Sequence, residues 1–154
     1  MNLDVVDAAT TTELRRSILR PSWPVGTPMH GDDEDGAIHL AARDDDAVVG
    51  ACVLLPRPCP AFPGRDGCWQ LRGMVAAASR RGSGIGTALS AAALTTVAGH
   101  GGRLVWCDAR ETAIDFYLGR GFTGIGDRYA HPETGAPHLL MYVELPAAPT
   151  SSTP

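Results

Sequence analysis

The sequence predicts a mixed α/β (α+β) fold, in which helices flank a central, mainly antiparallel sheet of about seven strands. Three observations carry this. Strand-like and helix-like segments follow one another in the order β-α-β-β-β-α-β-α-β-β. Three pairs of consecutive strands are joined by a turn or loop alone, as antiparallel neighbours are. Three alternate glycines, Gly82, Gly84 and Gly86, stand between a strand and the start of a helix.

The opening "LDVVDA" reads as a short strand. "TTTELRRSILR" follows, with threonines available as caps and Leu14, Ile18 and Leu19 near helical spacing, so a helix is expected from about Thr11 to Leu19. Pro21 ends it, and "PSWPVGTPMHGDDEDG" is irregular. "AIHLAARDDDAVVGACVLL" reads as a hairpin turning at Asp44-Asp45-Asp46. After the loop "PRPCPAFPGRDG" comes the strand "CWQLRGMVA". Its alternation puts Trp69, Leu71, Gly73 and Val75 on one face and Gln70, Arg72 and Met74 on the other. "IGTALSAAALTTVAG" is helical, with small residues suited to close packing on a sheet. "GGRLVWCD" is a strand, and "RETAIDFYLGRG" is a helix stopped by Gly121. "FTGIGDRYA" and "HLLMYVEL" close the sheet around "HPETGAP". Length and pattern predict one domain over 1–145 and a disordered tail over 146–154, "PAAPTSSTP".

Composition excludes several functions. The 154 residues are 44% hydrophobic and 19% charged, ordinary for a soluble globular chain. A net charge of −4 argues against a general nucleic-acid binder. No apolar run nears the ~20 residues of a membrane span. "MNLDVVDAAT" lacks the basic start and apolar stretch of a secretory signal, so the expected location is cytoplasmic. Cys52, Cys59, Cys68 and Cys107 form no CxxC pair, which points to buried free thiols and no metal. All 13 basic residues are arginine, so any motif that needs a lysine is excluded.

That exclusion bears on "RRGSGIGTALSAAALTTVAG". A nucleoside-triphosphate loop, GxxxxGK[ST], lacks its lysine. A dinucleotide fingerprint, GxGxxG, has an acid at Asp108 in its favour, but Thr87 stands where the third glycine belongs and the approach from the strand is too long. A pyrophosphate cradle fits Arg81-Gly82-Ser83-Gly84-Ile85-Gly86. Helix-start N–H groups and the helix dipole suit a diphosphate, glycines let its oxygens approach, and Arg81 adds charge.

The element order, "LRGMVAAASRRGSGIGTAL" and the later "AIDFYLGRGF" together resemble the GNAT family of N-acetyltransferases. The resemblance is specific over Gln70–Leu89 and Ala113–Phe122. It implies acetyl-CoA as co-substrate and an amine of a small molecule or peptide as acceptor, attacked directly in a ternary complex. It implies a strand bulge and a splay between the fourth and fifth strands. Gly73 is a candidate for the bulge, and an ordinary packing glycine is the alternative. Backbone groups of Met74, Val75 and Ala76 would then pair with pantetheine amides, and the amides of Gly82, Ser83, Gly84, Ile85, Gly86 and Thr87 would hold the pyrophosphate. Phe116 is placed beside the coenzyme. Tyr117 would be the general acid toward the departing thiolate, its alternative being a core aromatic beside Phe116. A backbone N–H of Met74 or Val75 would polarise the carbonyl. Dimers are frequent in the family, and the oligomeric state stays open. A non-catalytic acyl-CoA sensor on the same fold is the alternative function.

The general base is not carried over, because Gln70 and Arg72 stand where many members place a glutamate. Candidates are Asp108, His138 and Glu111, each with a structural alternative: Asp108 as a helix cap, His138 as packing beside Pro137, Glu111 as a first-turn acid. The run Asp32–Asp35 is either an attractor for a cationic amine or a solvated loop. Trp23 either lines an acceptor pocket or anchors its own loop.

Overall fold

The computed structural model describes residues 1–29, 31–132 and 134–146. The strands are β1 (Asn2–Val6), β2 (Ile38–Asp44), β3 (Ala47–Leu55), β4 (Cys68–Ala76), β5 (Leu104–Arg110), β6 (Thr123–Ala130) and β7 (Pro137–Glu144). The helices are α1 (Ala8–Leu19), α2 (Ile85–Gly99) and α3 (Ile114–Gly119). Single 3₁₀ turns, Ala78–Arg80 and Glu111–Ala113, precede α2 and α3. The expected tail lies, from residue 147 on, outside the described residues.

All seven strands form one sheet in the order β1-β2-β3-β4-β5-β7-β6. β4 and β5 run parallel; every other neighbouring pair is antiparallel. That pattern is incompatible with a doubly wound dinucleotide fold, whose sheet is mostly parallel. α1 and α2 cover opposite faces. Ile85 and Leu89 of α2 reach Gly50 of β3, on the face shared by Cys52 and Leu54, whereas Arg15 of α1 lies on the Val53 side. The main core fills the α2 face with Leu54, Leu71, Leu89, Val97, Val105 and Met141. A smaller cluster, Cys59, Cys68, Leu104 and Trp106, fills part of the other face. All four cysteines are buried and free.

Three expectations are corrected. α1 begins at Ala8, and its cap is Asp7, which accepts the Thr10 amide at 3.0 Å. Its buried residues are Thr11, Arg15 and Arg16, while Leu14, Ile18 and Leu19 stay half-buried. The alternation along β4 breaks after Arg72. The register against β3 passes from Val53↔Arg72 to Ala51↔Val75, so Gly73 and Met74 together oppose Cys52. This bulge moves Met74 and Ala76 onto the main core beside Trp69 and Leu71, and takes Val75 off that face. No helix among the described residues is long and apolar enough to cross a membrane.

Candidate active site

The bulge sits where β4 leaves its parallel neighbour. β4 and β5 pair only through Cys68↔Leu104, Trp69↔Val105 and Gln70↔Trp106, although β4 continues to Ala76 and β5 to Arg110. Bulges bend and overtwist a strand, and here the bend carries β4 away from β5. Glycine is needed at the bend. Gly73 has φ +61°, and a Cβ there would stand 2.9 Å from Cδ of Arg15. Arg15 itself is 1% exposed and holds Asp32 in a two-pronged ion pair at 2.9 and 2.8 Å.

A cavity of about 330 Å³ occupies the opening. Met74, Val75 and Ala76 line it from β4, Asp108 and Ala109 from β5, and Tyr117 from α3. Arg81 lines it before α2, and His138 lines it from β7. Gly82 to Thr87 and Phe116 are not among its lining residues. They form an adjoining group at the start of α2. Gly84 caps that helix in the left-handed conformation, φ +85°, which a side chain would oppose. The first intrahelical bond is Ala88 N–H to the Gly84 carbonyl at 3.0 Å, so the amides of Gly84, Ile85, Gly86 and Thr87 precede the helical ladder. The Ser83 amide is turned elsewhere, donating to the Arg80 carbonyl at 3.2 Å. The Phe116 ring packs 3.3 Å from where a Cβ on Gly86 would lie. Arg120 stacks over Phe116 at 5.6 Å and donates to Thr87 Oγ1 at 2.5 Å.

Tyr117 is 7% exposed and packs edge-on between Phe116 and Phe122, each ring centroid 5.1 Å away. Its hydroxyl makes no hydrogen bond among the described residues. Burial pushes the phenol far above its usual range, with Cys107 and Cys52 adding to the effect. Tyr117 is thus a core aromatic that also lines the cavity.

The base candidates separate. Glu111 is exposed, lies 3.7 Å from Arg128 and lines neither this cavity nor the next. Asp108 accepts a hydrogen bond from the Tyr129 hydroxyl. Burial, then the bond to Asp108, raises the Tyr129 phenol well above its ordinary value. His138 is 5% exposed, and its Nδ1 lies 2.9 Å from the Ala136 carbonyl. A carbonyl only accepts, so Nδ1 carries the proton and Nε2 of the neutral ring keeps its lone pair. The His131 ring stacks on His138 at 4.6 Å.

A second opening of about 460 Å³ adjoins the first and shares Gln70, Arg72, Asp108 and His131 with it. The acidic run divides: Asp32 is committed to Arg15, Glu34 pairs with Arg57 at 2.9 Å, and Asp33 and Asp35 are exposed. Trp23 lines the first cavity under the Arg20 guanidinium, 5.6 Å from its ring. Among the described residues no group of His, Cys, Asp and Glu could hold a metal ion.

Sequence reasoning missed Tyr129, Arg15 and Arg120. Tyr129 stands 21 residues from Asp108, beyond a register irregularity in β6, and no spacing links the two. A signal existed for Arg15: it follows Thr11 by one helical turn on a face that buries polar residues.

The pattern of the Acetyltransferase (GNAT) family matches residues 9–122. No match was found among curated protein sequences. Solved structures share the fold at low identity. An aminoglycoside 6'-N-acetyltransferase complexed with coenzyme A has a TM-score of 0.73 at 18% identity, over 96% of this chain and 99% of that one. The aminoglycoside 6'-N-acetyltransferase of Enterococcus faecium gives 0.71 at 19%, over 96% and 99%. An acyl-CoA N-acyltransferase of Pseudomonas aeruginosa gives 0.68 at 20%, over 92% and 97%. The chain belongs to the GNAT acetyltransferase family and is an acyltransferase that uses acetyl-CoA as its co-substrate.

Proposed function

We propose that the protein moves an acetyl group from acetyl-CoA to a primary amine of a small molecule or peptide, by direct attack in a ternary complex. The observation that carries this reading is the opening between β4 and β5, with Arg81 and the start of α2 beside it. The residues fit the coenzyme in two respects. Beyond Gln70, the β5-facing edge of β4 has no β5 partner, so its backbone groups can receive an amide chain as an added strand would. At Gly82 and Gly84 the space a Cβ would face is open to 4 Å, which leaves room for phosphate oxygens.

When bound, acetyl-CoA supplies an activated thioester carbonyl and a thiol leaving group. Met74, Val75 and Ala76 hold the pantetheine arm. Arg81 and the amides from Gly82 to Thr87 hold the pyrophosphate; Ser83 contributes least, its amide being spent on Arg80. The N–H of Met74 or Val75 polarises the acyl carbonyl. Tyr117, which stays a phenol at neutral pH, donates a hydrogen bond to the departing sulfur.

The acceptor must shed a proton. For a lysine-like amine of pKa ~10.4, about one molecule in ~2,500 is neutral at pH 7. His138 is the better placed base, since its Nε2 lone pair is set by the bond at Nδ1, whereas the Asp108 carboxylate already receives Tyr129. Four buried free thiols suit a reducing, cytoplasmic setting. The test is thiol release from acetyl-CoA against an amine library, with native protein and His138→Gln. Amine-dependent release that His138→Gln lowers by about a hundredfold is expected. Absence of amine-dependent release overturns the reading.

A further inference from the structure

We propose that the acceptor is an amine that also carries a carboxylate and an apolar group, an apolar α-amino acid being the simplest case; this rests on the acetyl-transfer reading above. The two cavities meet on the face of the sheet turned away from α2. Strand alternation puts Gln70 and Arg72 of β4, and Trp106, Asp108 and Arg110 of β5, on that face.

The charge on this face is one-sided. Arg15, Arg20, Arg57, Arg72, Arg81 and Arg110 line the two cavities, and Asp108 is the sole carboxylate among the described lining residues. Asp108 is engaged by Tyr129. Asp33 and Asp35 are exposed and line neither cavity. Arg15 and Arg57 are answered by Asp32 and Glu34. Arg110, exposed at the end of β5, makes no hydrogen bond or ion pair among the described residues. Arg72 lines both openings. A polycationic acceptor would bring like charge against these guanidinium groups and meet one lining carboxylate among the described residues, Asp108, whose Oδ1 already accepts from Tyr129. A carboxylate suits a guanidinium fork, which can bind both of its oxygens.

The opposite wall is apolar. Ile18 and Leu19 of α1, with Trp23 and Met29 of the loop that follows, line the first cavity and are half-buried. They present hydrocarbon to whatever stands between them and β5. An acceptor with one anionic end and one apolar end matches the two walls; a sugar bearing several ammonium groups matches neither.

The experiment measures thiol release with matched acceptors: L-leucine against leucinamide, L-tryptophan against tryptamine, with kanamycin and spermidine as polycations. An α-amide lowers the amine pKa and raises its neutral fraction, so nucleophile supply alone favours leucinamide. A kcat/KM for L-leucine about tenfold or more above leucinamide is expected, as one charge-assisted contact provides, with L-tryptophan ahead of tryptamine in the same direction. Arg110→Gln and Arg72→Gln are each expected to pull the acid-to-amide ratio toward unity. Arg110 is exposed, so its variant reports even if Arg72→Gln fails to fold; retained thermal protection by coenzyme A verifies the fold of each. Faster turnover of the polycations or the amides, or an acid preference that survives both substitutions, overturns the inference and leaves acetyl transfer standing. No turnover with any amine, while coenzyme A still protects the protein, overturns the transfer reading and this inference with it.

Discussion

Gly50 of β3 lies directly beneath Ile85, the first residue of α2: a Cβ at position 50 would stand 2.4 Å from Ile85 Cγ2 and 3.0 Å from Leu89 Cδ1. The missing side chain lets the start of α2 settle close to the sheet. Gly50→Ala is expected to cost about 1–3 kcal/mol of stability. It should also weaken coenzyme A binding, because the helix must lift at the end that carries the cradle. Urea denaturation and calorimetric titration check both; a variant that loses stability yet binds coenzyme A as tightly would uncouple Gly50 from the cradle.

Tyr117→Phe keeps the ring that packs between Phe116 and Phe122 and removes only the hydroxyl. Stability and coenzyme A affinity are expected to change little, and kcat to fall by about a hundredfold. Steady-state thiol release, read beside thermal shift, decides. Undiminished kcat would leave Tyr117 a packing residue alone.

The Arg15–Asp32 pair ties the loop after α1 to the bulge of β4. Asp32→Asn leaves a guanidinium buried at 1% exposure without its counter-charge and is expected to cost about 3–5 kcal/mol. Arg15→Met combined with Asp32→Leu removes both charges and should be less damaging than the single change. Equilibrium denaturation of the three proteins is the measurement. A single variant as stable as the native chain would show that the pair contributes nothing.

Alkaline pH should destabilise the protein before any carboxylate matters. Burial pushes the Cys52 thiol from its ordinary 9.0 up to about 12, and Cys107, Tyr117 and Tyr129 move the same way. In the unfolded chain Cys52 ionises near pH 9, while in the native state it keeps its proton. Above pH 9 the unfolded state therefore binds fewer protons, and stability falls as pH rises toward 12, with a slope of up to ~1.4 kcal/mol per pH unit for each such thiol. Below pH 9 this contribution is fully present. Denaturation midpoints at pH 8, 9, 10 and 11 test it, and Cys52→Ala should make the decline shallower. A midpoint that holds steady or rises across that range would contradict it.

Local chemistry made much of this fold legible. Turn glycines, prolines and the change from strand to helix periodicity set the element order, and the bounds Ile85–Gly99 are legible because Gly84 and Gly99 mark the ends of the helix. The glycine-rich run before α2 is legible because it is contiguous. What could not be read depends on register. Alternation along β4 fails after Arg72 because one extra residue reverses the faces; periodicity does not announce it, and only the family resemblance points to the bulge at Gly73. The Tyr129–Asp108 bond unites residues on strands that are not neighbours in the sheet. The acidic run reads equally as an amine attractor or a solvated loop, because a sequence cannot show that Asp32 and Glu34 face Arg15 and Arg57.

The seam between β4 and β5 is only three residue pairs long, with four strands on one side and three on the other. In mechanical terms the sheet is two plates hinged along a short margin. A molecule lodged between the plates and gripping both would act as mortar as well as reactant. Force that pulls the first strand away from the sixth should then tear the loaded protein less readily than the empty one, and each turnover would briefly return the molecule to its weaker form.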